Sequence, residues 1–381
     1  MSWIFLFLAM CYAALMWRYL ATWQALPEWR LPEGWRPTQM LTVLVPARNE
    51  ALHIEHCLRS ILACKYPHDL LEIIVLDDFS EDGTADLALR LAGGSDAAIR
   101  VLRLAQHLPP EAAQTANKKR ALEMGVEAAR GTRILCTDAD CLVPPDWLPL
   151  MASAPGALAT GPVAFHQERN LLERFQSLDL LGLMGITGAG IHGGFQRMGN
   201  GANLAYDKAF FLSLGGYAGN RGTASGDDMF LIQKAAAQAP GSVFFVKNRA
   251  ATVRTRAQPD WRGFWQQRLR WGTKNAALPE WPIRLALLAV FLFCWGIWLH
   301  AAALLCWGSS GGNVQVFVFQ VFIKIVADYF FLRSLCRFFG RMDLLRWFLP
   351  AFVLHTAYIP LVGAGSLFLK NYRWKGRNVR R

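Results

Sequence analysis

The chain has 381 residues, a formal net charge of +12 and 53% hydrophobic residues. That length accommodates one large domain or two modest ones, and the apolar share exceeds that of ordinary globular domains. The excess lies before residue 27 and after residue 282, which points to membrane segments rather than a larger core. The basic residues crowd beside those segments, at Lys247, Arg249, Arg254, Arg256, Arg262, Arg268, Arg270, Lys274 and again from Lys370 to Arg381. Anionic lipid headgroups explain such placement more simply than nucleic acid does, so no nucleic-acid partner is expected. The eight cysteines show no Cys-x-x-Cys pairing and no His cluster joins them, which argues against zinc and for a reduced compartment.

In chain order, residues 3–16 form an uncharged apolar run followed by Trp17 and Arg18. With no basic segment before it and no small-residue cleavage site after it, the run reads as a retained anchor rather than a leader. The positive-inside rule then places the residues beyond it in the cytoplasm, at the inner membrane if the cell is bacterial. Residues 26–37 are rich in Pro and Trp and suit the membrane interface. From residue 41 the pattern alternates: a strand at 41–45 stopped by Pro46, a helix at 51–62, a strand ending at Asp77, a helix at 84–91, a strand at 99–102, a helix at 118–129 and a strand ending before Asp138. Such alternation predicts a mostly parallel sheet with helices on both faces.

Residues 261–273 mix Trp, Phe, Leu, Arg and Gln as an interfacial amphipathic helix does. Three apolar stretches come after it, 285–307, 314–332 and 347–369, each about long enough to cross a bilayer. The division expected is an anchor at 1–25, a catalytic domain at 38–256, an interfacial helix at 257–282, a membrane region at 283–370 and a basic tail at 371–381. One crossing before the catalytic domain and three after it would export the tail, whose charge favours the cytoplasm. One C-terminal segment is therefore expected not to cross fully, and Pro350 and Pro360 single out 347–369 as re-entrant or interfacial. Lys324 and Asp328 stand four apart in the second stretch and are expected to pair on one helix face.

Two acidic clusters end buried strands: Asp77-Asp78 after Ile73-Ile74-Val75-Leu76, and Asp138-Ala139-Asp140 after Ile134-Leu135-Cys136-Thr137. Strand ends are where open α/β sheets bind ligands. The first strand leads into Pro46-Ala47-Arg48-Asn49-Glu50 and not into a Gly-x-Gly-x-x-Gly turn, against a nicotinamide or flavin enzyme. An Asp-x-Asp suits Mg²⁺ or Mn²⁺, hard cations that combine one or two carboxylates with substrate phosphates. Asp140 has the better claim to direct coordination, with Asp138 on the metal, the nucleotide's sugar or a water.

Val43-Leu44-Val45-Pro46-Ala47-Arg48-Asn49-Glu50, Asp77-Asp78-Phe79-Ser80-Glu81-Asp82-Gly83-Thr84, Asp138-Ala139-Asp140, Gly226-Asp227-Asp228 and Gln267-Arg268-Leu269-Arg270-Trp271 occur in that order. Together they resemble the successive motifs of membrane-bound family 2 glycosyltransferases, the group of cellulose, hyaluronan and ceramide-glucosyl synthases. The terminal Trp374-Lys375-Gly376-Arg377 resembles lipid-directed members. The resemblance implies a GT-A fold, a nucleotide-diphosphate sugar donor of the UDP type, a lipid acceptor in the bilayer and inversion at the anomeric carbon. It also assigns roles. Asp78 would meet the nucleobase or ribose with Asp77 beside it, and Lys118 a phosphate. Asp228, in a motif that reads Asp227-Asp228 instead of Glu-Asp, would be the general base. Gln267, Arg270 and Trp271 would cover the diphosphate and the acceptor, Trp271 offering a flat face to a sugar ring. Gly199-Asn200-Gly201-Ala202-Asn203 and Gly215-Gly216-Tyr217 resemble the acceptor-side region. Asn117 stands where many members have Gly. A processive polysaccharide synthase is the second enzyme reading, and a catalytically silent nucleotide-binding scaffold is the reading from another class.

Overall fold

A computed structural model of the chain describes residues 2–114, 117–219, 226–275, 280–307, 311–368, 371–374 and 377–380. Helix α1 (Ser2–Ala25) precedes β1 (Leu41–Ala47), α2 (Ile54–Leu62), β2 (Leu71–Asp77), α3 (Thr84–Ala92), β3 (Ala98–Arg103), α4 (Lys118–Ala128) and β4 (Arg133–Cys136). Then come α5 (Trp147–Ala152), β5 (Leu158–Thr160), β6 (Val163–Phe165), α6 (Leu171–His192), β7 (Leu204–Asp207), α7 (Lys208–Ser213), α8 (Asp227–Gln238), β8 (Val243–Phe245) and β9 (Val253–Thr255). Helices α9 (Trp261–Asn275), α10 (Trp281–Trp307), α11 (Gly311–Phe339) and α12 (Phe348–Phe368) are next, with strands β10 (Asn371–Trp374) and β11 (Arg377–Arg380) last.

Two compact units result. The sheet unit comprises Pro27–His166, Arg197–Arg256 and Lys370–Arg381. Its seven strands run in the order β3-β2-β1-β4-β7-β5-β8. The β3-β2-β1-β4 half is parallel, and β7 is antiparallel to both β4 and β5. The expectation of a mostly parallel sheet is met. β1 and β2 are buried on both faces, as strands covered by helices on either side must be. Pro46 does not stop β1, which runs on to Ala47. It lies beyond the stretch of β1 that pairs with β4, Leu41 to Leu44, where a missing N–H interrupts no ladder on that side. The core under α4 joins Leu44, Leu76, Leu122, Val126, Ile134, Tyr206 and Ile232.

The acidic side chain at the start of β2 is well supplied with donors. Glu72, inaccessible on β2, accepts from Thr42 Oγ1 at 2.7 Å, Arg130 N at 2.9 Å and Arg100 Nη1 at 2.9 Å. Gly131 donates its N–H to the same Thr42 Oγ1 at 2.9 Å, which packs the turn before β4 tightly against β1.

The helical unit comprises Met1–Leu26, Gln167–Gln196 and Ala257–Leu369. Residues 167–196 thus leave the 38–256 segment expected to be catalytic. The reason is α6, which buries Leu172, Phe175, Leu178, Leu181 and Met184 and packs on α1, α11 and α12. Among the described residues four helical stretches are long and apolar enough to cross a membrane: Trp3–Ala25, Trp281–Cys306, Gly311–Phe339 and Met342–Ser366. Their outward faces expose large apolar side chains such as Trp3, Phe7, Trp17, Leu299 and Leu305, a surface suited to lipid rather than water. Pro350 and Pro360 do not interrupt α12, which is continuous. Pro350 falls in the first turn, where its N–H has no intrahelical partner to lose, and Pro360 alone sits in the interior. Inside the unit, Lys324 is inaccessible and donates to Asp328 Oδ2 at 2.6 Å and Tyr12 Oη at 3.1 Å. The predicted four-apart pair is therefore made.

A Cβ added to Gly131 would stand 2.5 Å from Thr42 N and 2.7 Å from Thr42 Oγ1. Gly131→Ala is expected to cost about 1–3 kcal/mol through overpacking. A thermal melt of the purified protein in detergent checks this, and an unchanged midpoint would refute it.

Candidate active site

The parallel strands β2, β1 and β4 deliver their carboxyl ends to one edge of the sheet, beside the point where strand order changes direction. Asp77-Asp78, Arg48-Asn49 and Asp138-Ala139-Asp140 all lie there by register. The loops after β1 and β2 are locked together. Asn49 N donates to Ser80 Oγ at 3.0 Å, Glu81 N to Asn49 Oδ1 at 3.0 Å, Glu50 N to Thr84 Oγ1 at 2.8 Å and Ala51 N to Asp82 Oδ2 at 2.9 Å. Asn49 (φ 52°) and Phe79 (φ 55°) both occupy the left-handed region. Asn tolerates it, whereas for Phe it is a strain that the surrounding bonds must hold.

Asp78 is enclosed by three donors. Its carboxylate accepts from Arg377 Nη1 at 2.5 Å, Arg377 Nη2 at 2.9 Å and Asn117 Nδ2 at 3.3 Å. Its carbonyl accepts from Arg48 Nη1 at 2.7 Å. Burial and the neighbouring Arg377 pull the Arg48 guanidinium below its ordinary range. Burial raises the Asp77 carboxyl, against the opposing hydrogen bonds from Ser80, and Asp77 Oδ1 is buried without a donor.

The next residue along, Lys118 at the start of α4, reaches the second cluster. Its Nζ donates to Asp138 Oδ1 at 2.7 Å and lies 3.7 Å from Asp227 Oδ2. Burial opposes its charge, yet Asp138, Asp227 and Asp228 outweigh that and hold the ammonium protonated, above the ordinary lysine range. Asp227 and Asp228 open α8, where the helix dipole favours negative charge. Asp227 is buried, and Asp228 is half-buried with Oδ2 accepting from Gly201 N at 3.0 Å. The Cβ direction of Gly201 points at Asp227 Oδ2 and Lys118 Nζ, 3.5 and 3.6 Å away. The Gly199–Asn203 segment therefore does approach the carboxylates closely, as glycine permits.

Asp138 is partly exposed and Asp140 exposed. Among the described residues no group of three His, Cys, Asp or Glu is placed to hold a metal ion. Two oxygen ligands without a third fit Mg²⁺ or Mn²⁺ completed by water and substrate phosphates, and do not fit a closed zinc site.

The structure thus joins Asp78, Lys118, Asp138, Asp227 and Asp228 within the sheet unit. Gln267, Arg270 and Trp271 belong to α9 of the helical unit. There Arg268 takes a role that the motif did not assign to it. It is buried 2.8 Å from Asp179 Oδ2 and lies 4.4 Å over the Trp271 ring. One face of Trp271 is therefore covered by a guanidinium and not free for a sugar. Arg377 and Arg48 are additions to the site expected from sequence. A signal existed for both, since Arg48 stands in the first motif and Arg377 in the terminal Trp-Lys-Gly-Arg, whose Lys375 and Gly376 lie outside the described residues.

Comparisons with known proteins bear on the family and the fold. The model of the glycosyl transferase family group 2 matches residues 133–363, and that of glycosyl transferase family 2 matches residues 42–155. The probable glycosyltransferase YdaM of Bacillus subtilis is 26% identical over 271 residues, covering 68% of this chain and 60% of YdaM. The dolichyl-phosphate beta-glucosyltransferase of Mus musculus is 36% identical over 119 residues, 29% of this chain and 34% of the mouse protein. The chain thus spans 60% of the one and about a third of the other. The mannosyltransferase PcManGT from Pyrobaculum calidifontis, solved in complex with GDP-Man and Mn2+, superposes with a TM-score of 0.54 at 21% identity. That superposition covers 93% of this chain and 98% of PcManGT, a likeness of fold. With a mostly parallel sheet of GT-A likeness, and a family model spanning most of the chain from β4 to α12, this protein belongs to the glycosyl transferase family group 2.

Proposed function

We propose that the chain moves a sugar from a nucleotide-diphosphate donor to a lipid acceptor in the membrane, by a single displacement that inverts the anomeric carbon. The observation that carries this reading is the ammonium of Lys118 set among Asp138, Asp227 and Asp228. It places a fixed positive charge beside a carboxylate that can accept a proton. The acceptor hydroxyl gives its proton to Asp228, its oxygen bonds to the anomeric carbon, and the bond to the diphosphate oxygen breaks. A carboxylate in hydrogen-bond reach is the general base such a step needs. Asp228 suits the task better than Asp227, which is more deeply buried. Lys118 stays protonated and offsets charge on the departing diphosphate. Asp138 and Asp140 would hold Mg²⁺ or Mn²⁺, which when bound supplies further charge to that leaving group. The Mn2+ in PcManGT supports a divalent ion, and its GDP-Man keeps guanosine donors beside the UDP type. Arg270 and Gln267 are assigned to the diphosphate and Trp271 to the acceptor by the motif resemblance alone. The dolichyl-phosphate named for the mouse relative, a lipid whose reacting group is a phosphate and not a hydroxyl, supports only the lipid nature of the acceptor, as do the apolar helices.

The same reading fixes the tail. Arg377 bonds Asp78, so the C-terminal strands share the membrane side of the catalytic residues. The number of complete crossings between β9 and β10 is then even. One of the three long apolar helices there does not traverse, and the shared side is the cytoplasm by the positive-inside rule.

Asp228→Asn is expected to lower turnover about 10²–10⁴-fold while binding of UDP or GDP changes less than about twofold, the energy of a weak hydrogen bond. The assay uses purified protein with UDP- and GDP-sugars, extracted lipids and mass spectrometry of the product. Full turnover in the variant would remove Asp228 as the base, and a polymer product would favour the processive synthase. Chelation with EDTA is expected to abolish transfer and added MnCl2 or MgCl2 to restore it; transfer that survives chelation would exclude metal dependence. A cysteine appended after Arg381 should be labelled by membrane-impermeant maleimide only once the cytoplasmic face is opened. Labelling of intact cells would overturn the even count.

A further inference from the structure

The C-terminal hairpin ends in the donor site. β10 and β11 pair antiparallel, with Trp374 opposite Arg377. Two short strands are marginal by themselves, so the groups they bond to decide where they stay. Arg377 is buried, 3% exposed, and its guanidinium bonds outside the hairpin. Nη1 and Nη2 reach the Asp78 carboxylate, and Nε donates to Ala113 O at 2.6 Å. Asn117 bonds the same two places, giving Nδ2 to Asp78 at 3.3 Å and to Ala112 O at 2.7 Å. The guanidinium therefore clamps the end of β2 to the turn that leads into Asn117 and Lys118.

We propose that Arg377 is a positioning residue for the nucleoside end of the donor site, holding Asp78 and the 110–114 turn in the arrangement that receives the nucleotide. The proposal rests on the reading that Asp77 and Asp78 face the nucleoside and that Lys118, Asp138 and Asp140 face the diphosphate. A carboxylate offers about four lone-pair directions. Arg377 takes two of those on Asp78 and Asn117 one, which fixes both oxygens and leaves little freedom to misorient. A buried ion pair adds little net stability, so its value here lies in geometry. A planar, bidentate guanidinium supplies that geometry and an ammonium does not. Arg48 adds to the enclosure by bonding the carbonyls of Asp78 and Phe79 at 2.7 and 3.3 Å. The backbone at Phe79 is thereby kept in its left-handed conformation.

The test is calorimetric titration of the full-length protein in detergent and MnCl2 with UDP, GDP and inorganic pyrophosphate. Arg377→Ala is expected to weaken the tighter of the two nucleotides about tenfold, the loss of one charged hydrogen bond's worth of ordering. Pyrophosphate binding should stay as in the wild type, while the nucleotide-free melting midpoint falls because Asp78 loses its buried partner. Arg377→Lys should recover part of the loss, since it keeps the charge without the fork. Unchanged nucleotide affinity in Arg377→Ala would overturn the proposal, as would tighter binding, which would make the hairpin a cover that excludes the nucleotide. Equal loss for pyrophosphate would also overturn it by showing general damage to the site. Asp78→Ala separates the two levels. If Asp78→Ala weakens nucleotide while Arg377→Ala does not, only the proposal falls. If Asp78→Ala binds UDP and GDP like the wild type, or the wild type binds neither, the site reading itself falls.

Discussion

A parallel sheet gathers its strand ends on one edge, and in this chain those ends carry carboxylates. Asp77, Asp78, Asp138 and Asp140 come at or after the ends of β2 and β4, and α8 adds Asp227 and Asp228. Like charges this close would drive the loops apart unless cations stood between them. Asn117 and Lys118 are the hinge of the solution. These consecutive residues enter α4 with one side chain on Asp78 and the other on Asp138. The first cluster is then closed by Arg48 and Arg377, and the second is bridged by Lys118. The first cluster is therefore held by protein cations, while the second keeps Asp140 exposed and Asp138 partly exposed.

The chain reaches this arrangement by passing between its two units more than once. Residues 167–196 and 257–369 join the first helix in the helical unit, and the last strands return to the sheet unit. Apolar burial governs that partition. α6 carries Glu173, Arg174 and Asp179 among its leucines, yet its buried side is apolar enough to pack on α1 and α11. Charges retained inside that unit are paired: Lys324 with Asp328, and Arg268 with Asp179, to which Tyr358 Oη also donates at 2.9 Å. Unpaired charges would be prohibitive there.

Much of the fold was legible because it rests on local patterns. Short β-branched runs ending at Asp77 and before Asp138 became β2 and β4. The helix predicted at 118–129 ends one residue earlier, and the apolar stretches became α1, α10, α11 and α12. Pro46 departs from expectation for a reason that lies in the pairing of β1 with β4. The cost of a proline depends on whether a neighbour would have used its N–H, and that neighbour is named only by tertiary pairing.

Sequence by itself determined the elements up to β4, the sheet class and the apolar stretches long enough to cross a membrane, because hydrophobic period and residue chemistry are local properties. The tertiary structure alone decided which of those residues meet. It set Arg377 on Asp78 across 299 positions of chain, turned Asn117 from an exception in a motif into the link between two clusters, and laid Arg268 over Trp271. A carboxylate's partner is chosen by distance through space, and no periodicity along the chain encodes that distance.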